Sequence, residues 1–367
     1  MDVIFLGDTL SIIMACFAVI GALDKITGNR FKLGDEFEKG IMTLGPLSLS
    51  MLGMMTIAPA LSGVLLPLIT PVSRLIGFDP SAFAGIVLAN DMGGAALAES
   101  IALDSKLGAF HGLCVAAMLG ATVSFTIPVA LSTVNKKFHN DVLLGLLCGI
   151  STIPAGCFVS GLFMGIGIIP LCLNLIPALV ISVIIIIGLL KFPKICIKVF
   201  SVFGKLILIL VTAGLALGIF QYLTGVTLIK NTAPITESAS TVFHICVILS
   251  GTFPLIAIIS KILKKPLSVL GKKLQLDDTS VLGLIATLAN SIATIESAGK
   301  MNRKGRVLNL AFAVSAAFVF GDHLAFTLSY NSQYLPALIV GKLTAGITAL
   351  IVATFLCKKI PESNQTA

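Results

Sequence analysis

The chain has 367 residues, of which 56% are hydrophobic and only 11% are charged, and its mean hydropathy is +1.05. Soluble globular domains are about 25% charged, so this composition excludes a soluble protein and predicts an all-α polytopic membrane protein. A net charge of +8 would suggest a nucleic-acid partner in a soluble protein. Here the basic residues lie in short loops between apolar segments, so we expect a lipid bilayer and no nucleic acid.

Eleven apolar segments are long enough to cross a bilayer. No basic residue precedes the first one, which favours a retained helix over a cleaved signal peptide. In chain order the segments cover residues 3–23, 41–69, 81–103, 107–134, 142–164, 171–190, 199–222, 241–263, 280–298, 307–328 and 335–357. No soluble domain interrupts them, so residues 1–367 are predicted to form one transmembrane domain.

The tripeptide Leu-Ala-Asn occurs at residues 88–90 and again at residues 288–290, each time inside an apolar segment. The flanking residues match with small gaps: Pro71 with Pro266, Ser73 with Ser268, Asp79 with Asp278, Ser81 with Ser280, Gly85 with Gly283, and Gly120 with Gly321. This pattern predicts an internal duplication, with one repeat at about 41–190 and the other at about 199–357. In transporters built from repeats, the transport site lies at the repeat interface.

The loop charges select a topology. If all eleven segments span, Lys and Arg divide 12 against 11 between the two sides, which contradicts the positive-inside rule. If the two Leu-Ala-Asn segments are re-entrant, the division becomes 20 against 3. We therefore predict about nine spanning helices plus two re-entrant or broken segments, with the C-terminus in the cytoplasm. Five spans then separate the two copies, so the repeats are inverted; broken helices that cross the membrane are the alternative.

Charged side chains near the bilayer centre are costly and usually have a function or a partner. Asp91 lies in N-D-M-G-G, where the glycines allow the backbone to unwind, and is our candidate for binding a cation. Asp322 and His323 lie in F-G-D-H-L and are candidates for the substrate or an ion. The structural alternatives are a carboxylate that caps a helix end and a pairing of Asp322 with His323 or Lys342.

Four more residues complete the predicted substrate site. Asn90 and Asn290 offer amide groups that bind either the substrate or unwound backbone, and Ser291 follows the second copy. Glu296, and more weakly Glu99, either lines the pathway or faces water at the mouth of its segment.

Several kinds of site are not predicted. The histidines His111, His139 and His244 have no ligands at metal-binding spacing, and the eight cysteines are interpreted as free thiols. There is no phosphate-binding G-x-x-x-x-G-K-[ST] motif and no hydrolase motif. We expect no catalytic residues, no metal and no cofactor.

Three strings carry a resemblance to a known family: A-N-D-M-G-G at Asp91, A-T-L-A-N at Asn290, and F-A-V-S-A-A-F-V-F-G-D-H-L at Asp322. They resemble the bacterial ethanolamine permeases of the ethanolamine-utilisation operon, and the similarity extends over nearly the whole chain. The resemblance implies a transporter in the bacterial cytoplasmic membrane that takes up ethanolamine. A protonated amino alcohol needs a carboxylate, polar partners and an aromatic face, such as Phe320 or Phe326.

The sequence therefore predicts ethanolamine uptake by facilitated diffusion through an alternating-access site. The first alternative is proton- or sodium-coupled transport of a related small amine or amino acid, with Asp322 and His323 as the coupling pair. A membrane-embedded enzyme or a channel is the alternative of another class. The sequence leaves open whether the chain forms a homo-oligomer.

Overall fold

The computed structural model describes residues 3–273 and 275–359, and within these ranges the regular structure is helical. In chain order the α-helices are α1 Val3–Ile26, α2 Leu33–Met42, α3 Leu44–Ile76, α4 Ala82–Val87, α5 Ala95–Ile101, α6 Ser105–Ala109, α7 Ile127–Thr133, α8 His139–Phe163, α9 Ile168–Lys191, α10 Pro193–Thr224, α11 Ile235–Lys273, α12 Asp278–Ala289, α13 Ser291–Ser297, α14 Arg303–Ala316, α15 Asp322–Asn331 and α16 Leu335–Lys359. Wider π-helical turns occupy Asn90–Gly94, Phe110–Gly120 and Thr122–Thr126, and short 3₁₀ turns occupy Lys136–Phe138, Ala298–Lys300 and Ser332–Tyr334.

The all-α polytopic class is confirmed. Among the described residues, eight helical stretches are long and apolar enough to cross a membrane: Thr9–Ile26, Leu33–Ile76, Ser105–Thr133, Lys136–Phe163, Ile168–Lys191, Pro193–Thr224, Ile235–Ile262 and Asp322–Lys358. The predicted count of about nine treated residues 307–328 as one span. The structure instead breaks this segment at residues 317–321, and α15 continues through a 3₁₀ turn into α16.

Both Leu-Ala-Asn segments fold as hairpins, because one carboxylate ties together the two ends of each. In the first hairpin (residues 79–104), Asp79 accepts hydrogen bonds from the backbone N–H groups of Ser81 at 2.9 Å, Leu103 at 2.9 Å and Asp104 at 3.0 Å. A segment that ends where it began does not cross a bilayer.

The second hairpin (residues 277–302) repeats this arrangement. Asp277 accepts from the backbone N–H groups of Ser280, at 2.7 Å, and Asn302. The sequence match paired Asp79 with Asp278, but Asp277 makes the equivalent contacts. Burial alone would raise the pKa of Asp277, yet the backbone hydrogen bonds from Asn302 and Ser280 hold that pKa below its ordinary value.

Equivalent glycines let the next segment approach each Leu-Ala-Asn copy. A methyl group added to Gly120 would overlap the carbonyl oxygen of Leu88, and one added to Gly321 would overlap the carbonyl oxygen of Ala289. The pair Gly120 and Gly321 was matched from sequence. Five of the eight candidate spans separate the hairpins, so the two enter from opposite faces if each span crosses once.

The core that holds the hairpins is formed by α8, α14 and α16, which pack against one another and against the π-helical turn Phe110–Gly120. This turn is buried along its whole length. Small residues and glycines allow the close approach, as is common between membrane helices. By contrast, α9 and α10 expose most of their large apolar side chains, as helices that face lipid do.

Candidate functional site

The site begins at the break in the first hairpin. Helix α4 ends at Val87, Leu88 and Ala89 are extended, and the turn Asn90–Gly94 contains Gly93 at φ +90°. Residues with a side chain rarely adopt this backbone angle, and a side chain there would also collide with Met54. The break places Asn90 and Asp91 inside the protein, where irregular backbone is tolerated in a membrane.

These two side chains carry polar atoms without protein partners. Asn90 is fully buried, yet neither its amide nitrogen nor its amide oxygen makes a hydrogen bond, and Oδ1 of Asp91 makes none either. A buried polar atom without a partner costs about 1–3 kcal/mol, so native structures rarely leave adjacent ones unsatisfied. Donors and an acceptor held ready in this way are what a small polar ligand requires.

The second half of the chain presents Asp322 and His323 from the break at residues 317–321. The backbone N–H groups of Phe318 and Phe320 donate to the carbonyl oxygens of Thr287, at 3.1 Å, and Leu288, at 2.8 Å. Phe318 adopts φ +60°, a strained angle for a bulky residue that persists where the surroundings hold it. The second Leu-Ala-Asn copy therefore positions Asp322 through backbone contacts.

Three side chains form a chain of contacts through the centre of the protein. The Nε2 atom of His323 lies 3.8 Å from Oδ1 of Asp91, beyond hydrogen-bond distance. The Nζ atom of Lys342 lies 3.0 Å from Nδ1 of His323 and donates to the carbonyl oxygen of Ala117 at 2.6 Å. A protonated Lys342 leaves the imidazole proton of His323 on Nε2, facing Asp91.

Asp322 completes this group. It is partly buried and lies within electrostatic range of Asp91 and of Lys39 on α2. The ring of Phe318 stands beside that of His323, with centroids 5.2 Å apart, and contacts Phe125 edge-on at 5.7 Å. The result is a group of two carboxylates, Asp91 and Asp322, with an aromatic face and one buried lysine.

The remaining predicted residues have different surroundings. The Oδ1 atom of Asn290 accepts from the backbone N–H of Ile292 at 2.7 Å, so this amide caps α13. Ser291 is fully buried and its Oγ has no partner. Glu296 is exposed on α13. Phe320 is partly buried, whereas Phe326 is buried and stacks on Tyr330.

Lys342 is the central residue that the predicted site omitted. In the predicted site Lys342 is only a candidate partner of Asp322, but its Nζ contacts His323 and the backbone of Ala117 instead. The available signal was its position: a lysine in the middle of the apolar segment 335–357, which the structure buries to 1% exposure.

Residues 6–356 match the family model described as "Ethanolamine utilisation protein, EutH". The chain belongs to the EutH family. It is 42% identical to the "Probable ethanolamine permease EutH" of Listeria monocytogenes, over 98% of this chain and 96% of that one. It is 35% identical to the protein of the same name from Escherichia coli, over 99% and 97% of the two chains.

A third relative, the "Uncharacterized protein YxeR" of Bacillus subtilis, is 39% identical over 95% of both chains. No solved structure matches this EutH-family chain. The resemblance stated from sequence is therefore confirmed, and with it a multi-pass bacterial membrane protein related to permeases. Within the residues that the structure describes, no three His, Cys, Asp or Glu side chains form a group able to hold a metal ion.

Proposed function

We propose that this protein takes up ethanolamine across the bacterial cytoplasmic membrane, by facilitated diffusion through an alternating-access site at Asn90 and Asp91. The names of the relatives from Listeria monocytogenes and Escherichia coli support the substrate. The observation that carries the proposal is the adjacent, buried and unpartnered amide of Asn90 and Oδ1 of Asp91.

The chemistry of the site suits a small monovalent cation that bears a hydroxyl group. Ethanolamine is protonated near neutral pH, so its ammonium group would donate to Asp91. Its hydroxyl can both donate to and accept from the amide of Asn90. With Asp91 and Asp322 ionised and Lys342 protonated, the group carries one excess negative charge, which one bound ammonium neutralises.

Alternating access is supported by the two hairpins, which meet the site from opposite directions under the predicted topology. An inside-negative membrane potential already favours entry of a cation, by about 2.3 kcal/mol per 100 mV for one charge. Facilitated diffusion therefore needs no coupling ion. The cytoplasmic C-terminus is part of this proposal and is testable with a C-terminal reporter that is active only in the cytoplasm.

The decisive experiment measures uptake of labelled ethanolamine into proteoliposomes. We expect saturable uptake that the variant Asp91→Asn lowers at least about 100-fold, because the substrate ammonium loses its charged acceptor. Asp278→Asn is the matched control, since Asp278 is exposed at the start of α12. Normal uptake by a correctly folded Asp91→Asn protein, judged by its size-exclusion profile, would remove Asp91 from the site.

A second mechanism, proton-coupled transport, is favoured by the contact chain from Asp91 through His323 to Lys342. In that case His323 would pass a proton between the carboxylate and the buried amine. The same proteoliposomes separate the two mechanisms. After the accumulation in protein-free liposomes is subtracted, an imposed pH gradient at zero membrane potential concentrates ethanolamine only if the protein couples protons to transport. A sodium gradient tests sodium coupling in the same way.

A further inference from the structure

A cavity of about 180 Å³ lies at the open end of the first hairpin, separate from the group around Asp91. It lies between α5, α6, the turn Phe110–Gly120 and the end of α15. Its polar lining consists of Glu99, Tyr330, Asn331, Gln333 and Tyr334, together with Ser105. Glycines and alanines form much of the rest. A carboxylate, two phenol rings and two amides in one small cavity provide the groups that recognise an amine.

The cavity is connected to the core group by two parallel rows of side chains. On α15, Asp322, Phe326 and Tyr330 recur every four residues, so they share one helix face and span about 12 Å along the axis. On the first hairpin, Ala95 and Glu99 lie one turn apart on α5, and Asp91 precedes them on the other side of the break at Gly93.

The ends of the two rows meet. At one end, where Asp91 and Asp322 lie, α15 packs against the turn Asn90–Gly94. At the other, the hydroxyl of Tyr330 donates a hydrogen bond to the carboxylate of Glu99.

The middle of this route is closed by apolar packing. Ala95 and Phe326 belong to the same buried cluster, and the rings of Phe326 and Tyr330 stack with centroids 5.1 Å apart and planes 19° apart. Phe326 is only 2% exposed. Phe326, stacked on Tyr330, therefore lies between the cavity and Asp322, midway along α15.

We propose that this cavity is a second, outer binding site for the protonated small amine, and that the contact between Glu99 and Tyr330 is the latch that closes the route to the core. The ammonium group takes the place of the Tyr330 hydroxyl on Glu99 and lies against the phenol rings. Release of Tyr330 frees Phe326 to move. The inference rests on the proposed function for the identity of the substrate. It rests on the predicted topology of nine spans, which counts residues 307–328 as one crossing, for the position of the cavity on the outer face.

Tyrosine emission can report on this site, because the chain has no tryptophan and only three tyrosines, of which Tyr330 and Tyr334 line the cavity. The third, Tyr222, is exposed at the end of α10 and can be replaced by Phe. We expect the emission of the purified Tyr222→Phe protein to change saturably with added ethanolamine. Release of Tyr330 from a carboxylate alters the environment of its phenol, so the signal follows occupancy of Glu99.

Three variants in the Tyr222→Phe background decide the assignment. Glu99→Gln should weaken the titration roughly tenfold, the effect of one lost hydrogen bond to a charged group. Glu237→Gln is the matched control, because Glu237 is an exposed carboxylate at the start of α11. In Asp91→Asn, the emission should still change saturably with added ethanolamine. The proposal is overturned if ethanolamine causes no saturable change in tyrosine emission. It is also overturned if the change is lost in Asp91→Asn but remains in Glu99→Gln.

Tyr330→Phe tests the same contact independently, in case Glu99→Gln does not fold. It keeps the ring and removes the hydroxyl that competes with the ligand, so ethanolamine should bind several-fold more tightly, as reported by Tyr334. Weaker binding in this variant contradicts the latch. In proteoliposomes, Glu99→Gln should raise KM roughly tenfold and leave the maximal rate within about twofold. If the proposed function fails, the wild-type protein shows no ethanolamine uptake while the emission titration persists.

Discussion

The two hairpins have the same scaffold but different polar contents. Each is tied at its ends by a carboxylate, Asp79 or Asp277, and each receives a glycine from the following segment against its Leu-Ala-Asn backbone. The first hairpin, however, holds a buried amide without partners beside a carboxylate, whereas Asn290 in the second is used as a helix cap. The two hairpins share the backbone frame, and the buried amide without partners beside a carboxylate lies in only the first of them.

The segments that follow the hairpins also differ: the first is continuous and the second is broken. After the first hairpin the chain continues without interruption through the π-helical turns to α7. After the second it breaks at residues 317–321 and delivers Asp322 and His323 towards Asp91. The first half thus contributes its side chains from the hairpin and the second half from the segment after it. The proposed site therefore holds different groups on its two sides, which would suit the ammonium and the hydroxyl of the proposed substrate.

The largest effect should come from moving the charge between the hairpins. Asp91→Ser should lower ethanolamine uptake at least about 100-fold, and adding Ser291→Asp should not restore it. The reason is that Asp91 has His323 as a neighbour and lies in range of Lys342, whereas Ser291 is fully buried at the start of a different helix. Recovery of uptake in the double variant, measured in proteoliposomes, would show that the two copies are interchangeable.

Because the two hairpins share a scaffold, substitution of the equivalent glycines should destabilise the protein by similar amounts. Gly120→Ala and Gly321→Ala should each lower the free energy of unfolding by about 1–3 kcal/mol, because the added methyl group meets a backbone carbonyl of the hairpin. Gly63→Ala is the control, since nothing lies within 4 Å of its added methyl group on α3. Thermal unfolding in one detergent gives the comparison. A loss at only one of the two glycines would contradict the common frame.

Alanine substitution of the two matched asparagines should affect stability differently. Asn290→Ala removes a cap and should destabilise the protein by about 1 kcal/mol. Asn90→Ala removes buried polar atoms that have no protein partner, so stability should stay the same or rise while uptake falls. Melting temperature and uptake, measured on the same preparations, test both statements. A destabilising Asn90→Ala with normal uptake would assign that amide to the fold.

The smallest effect concerns the dependence of stability on pH at the base of the second hairpin. The pKa of Asp277 is lower in the folded protein than its ordinary value, because the backbone hydrogen bonds outweigh burial. Its stabilising contribution is therefore present above the unfolded-state pKa and is lost as pH falls through the folded-state pKa. Asp277→Asn should unfold more easily at neutral pH, and this difference from wild type should shrink in acid. A constant difference between neutral and acidic pH would exclude this linkage.

The sequence by itself determined the membrane class, the two broken segments and the residue types of the proposed site. These follow from local properties: apolar length, the distribution of loop charges, and glycines beside a buried aspartate. Local pattern also paired Gly120 with Gly321, which the structure places against equivalent carbonyl groups. It could not separate Asp277 from Asp278, because adjacent aspartates differ only in which one the folded backbone surrounds.

Only the tertiary structure decided which polar residues have partners within the fold and which are left without one. Asn90 and Asn290 lie in identical tripeptides, yet one is buried without a partner and the other caps a helix. The reason is that Asn290 is the extended residue just before α13, whereas Asn90 is already the first residue of its turn. The break at residues 317–321 and the contact of Lys342 with His323 join residues that are far apart in the chain. Such contacts depend on how helices pack against one another, so hydrophobic periodicity does not predict them.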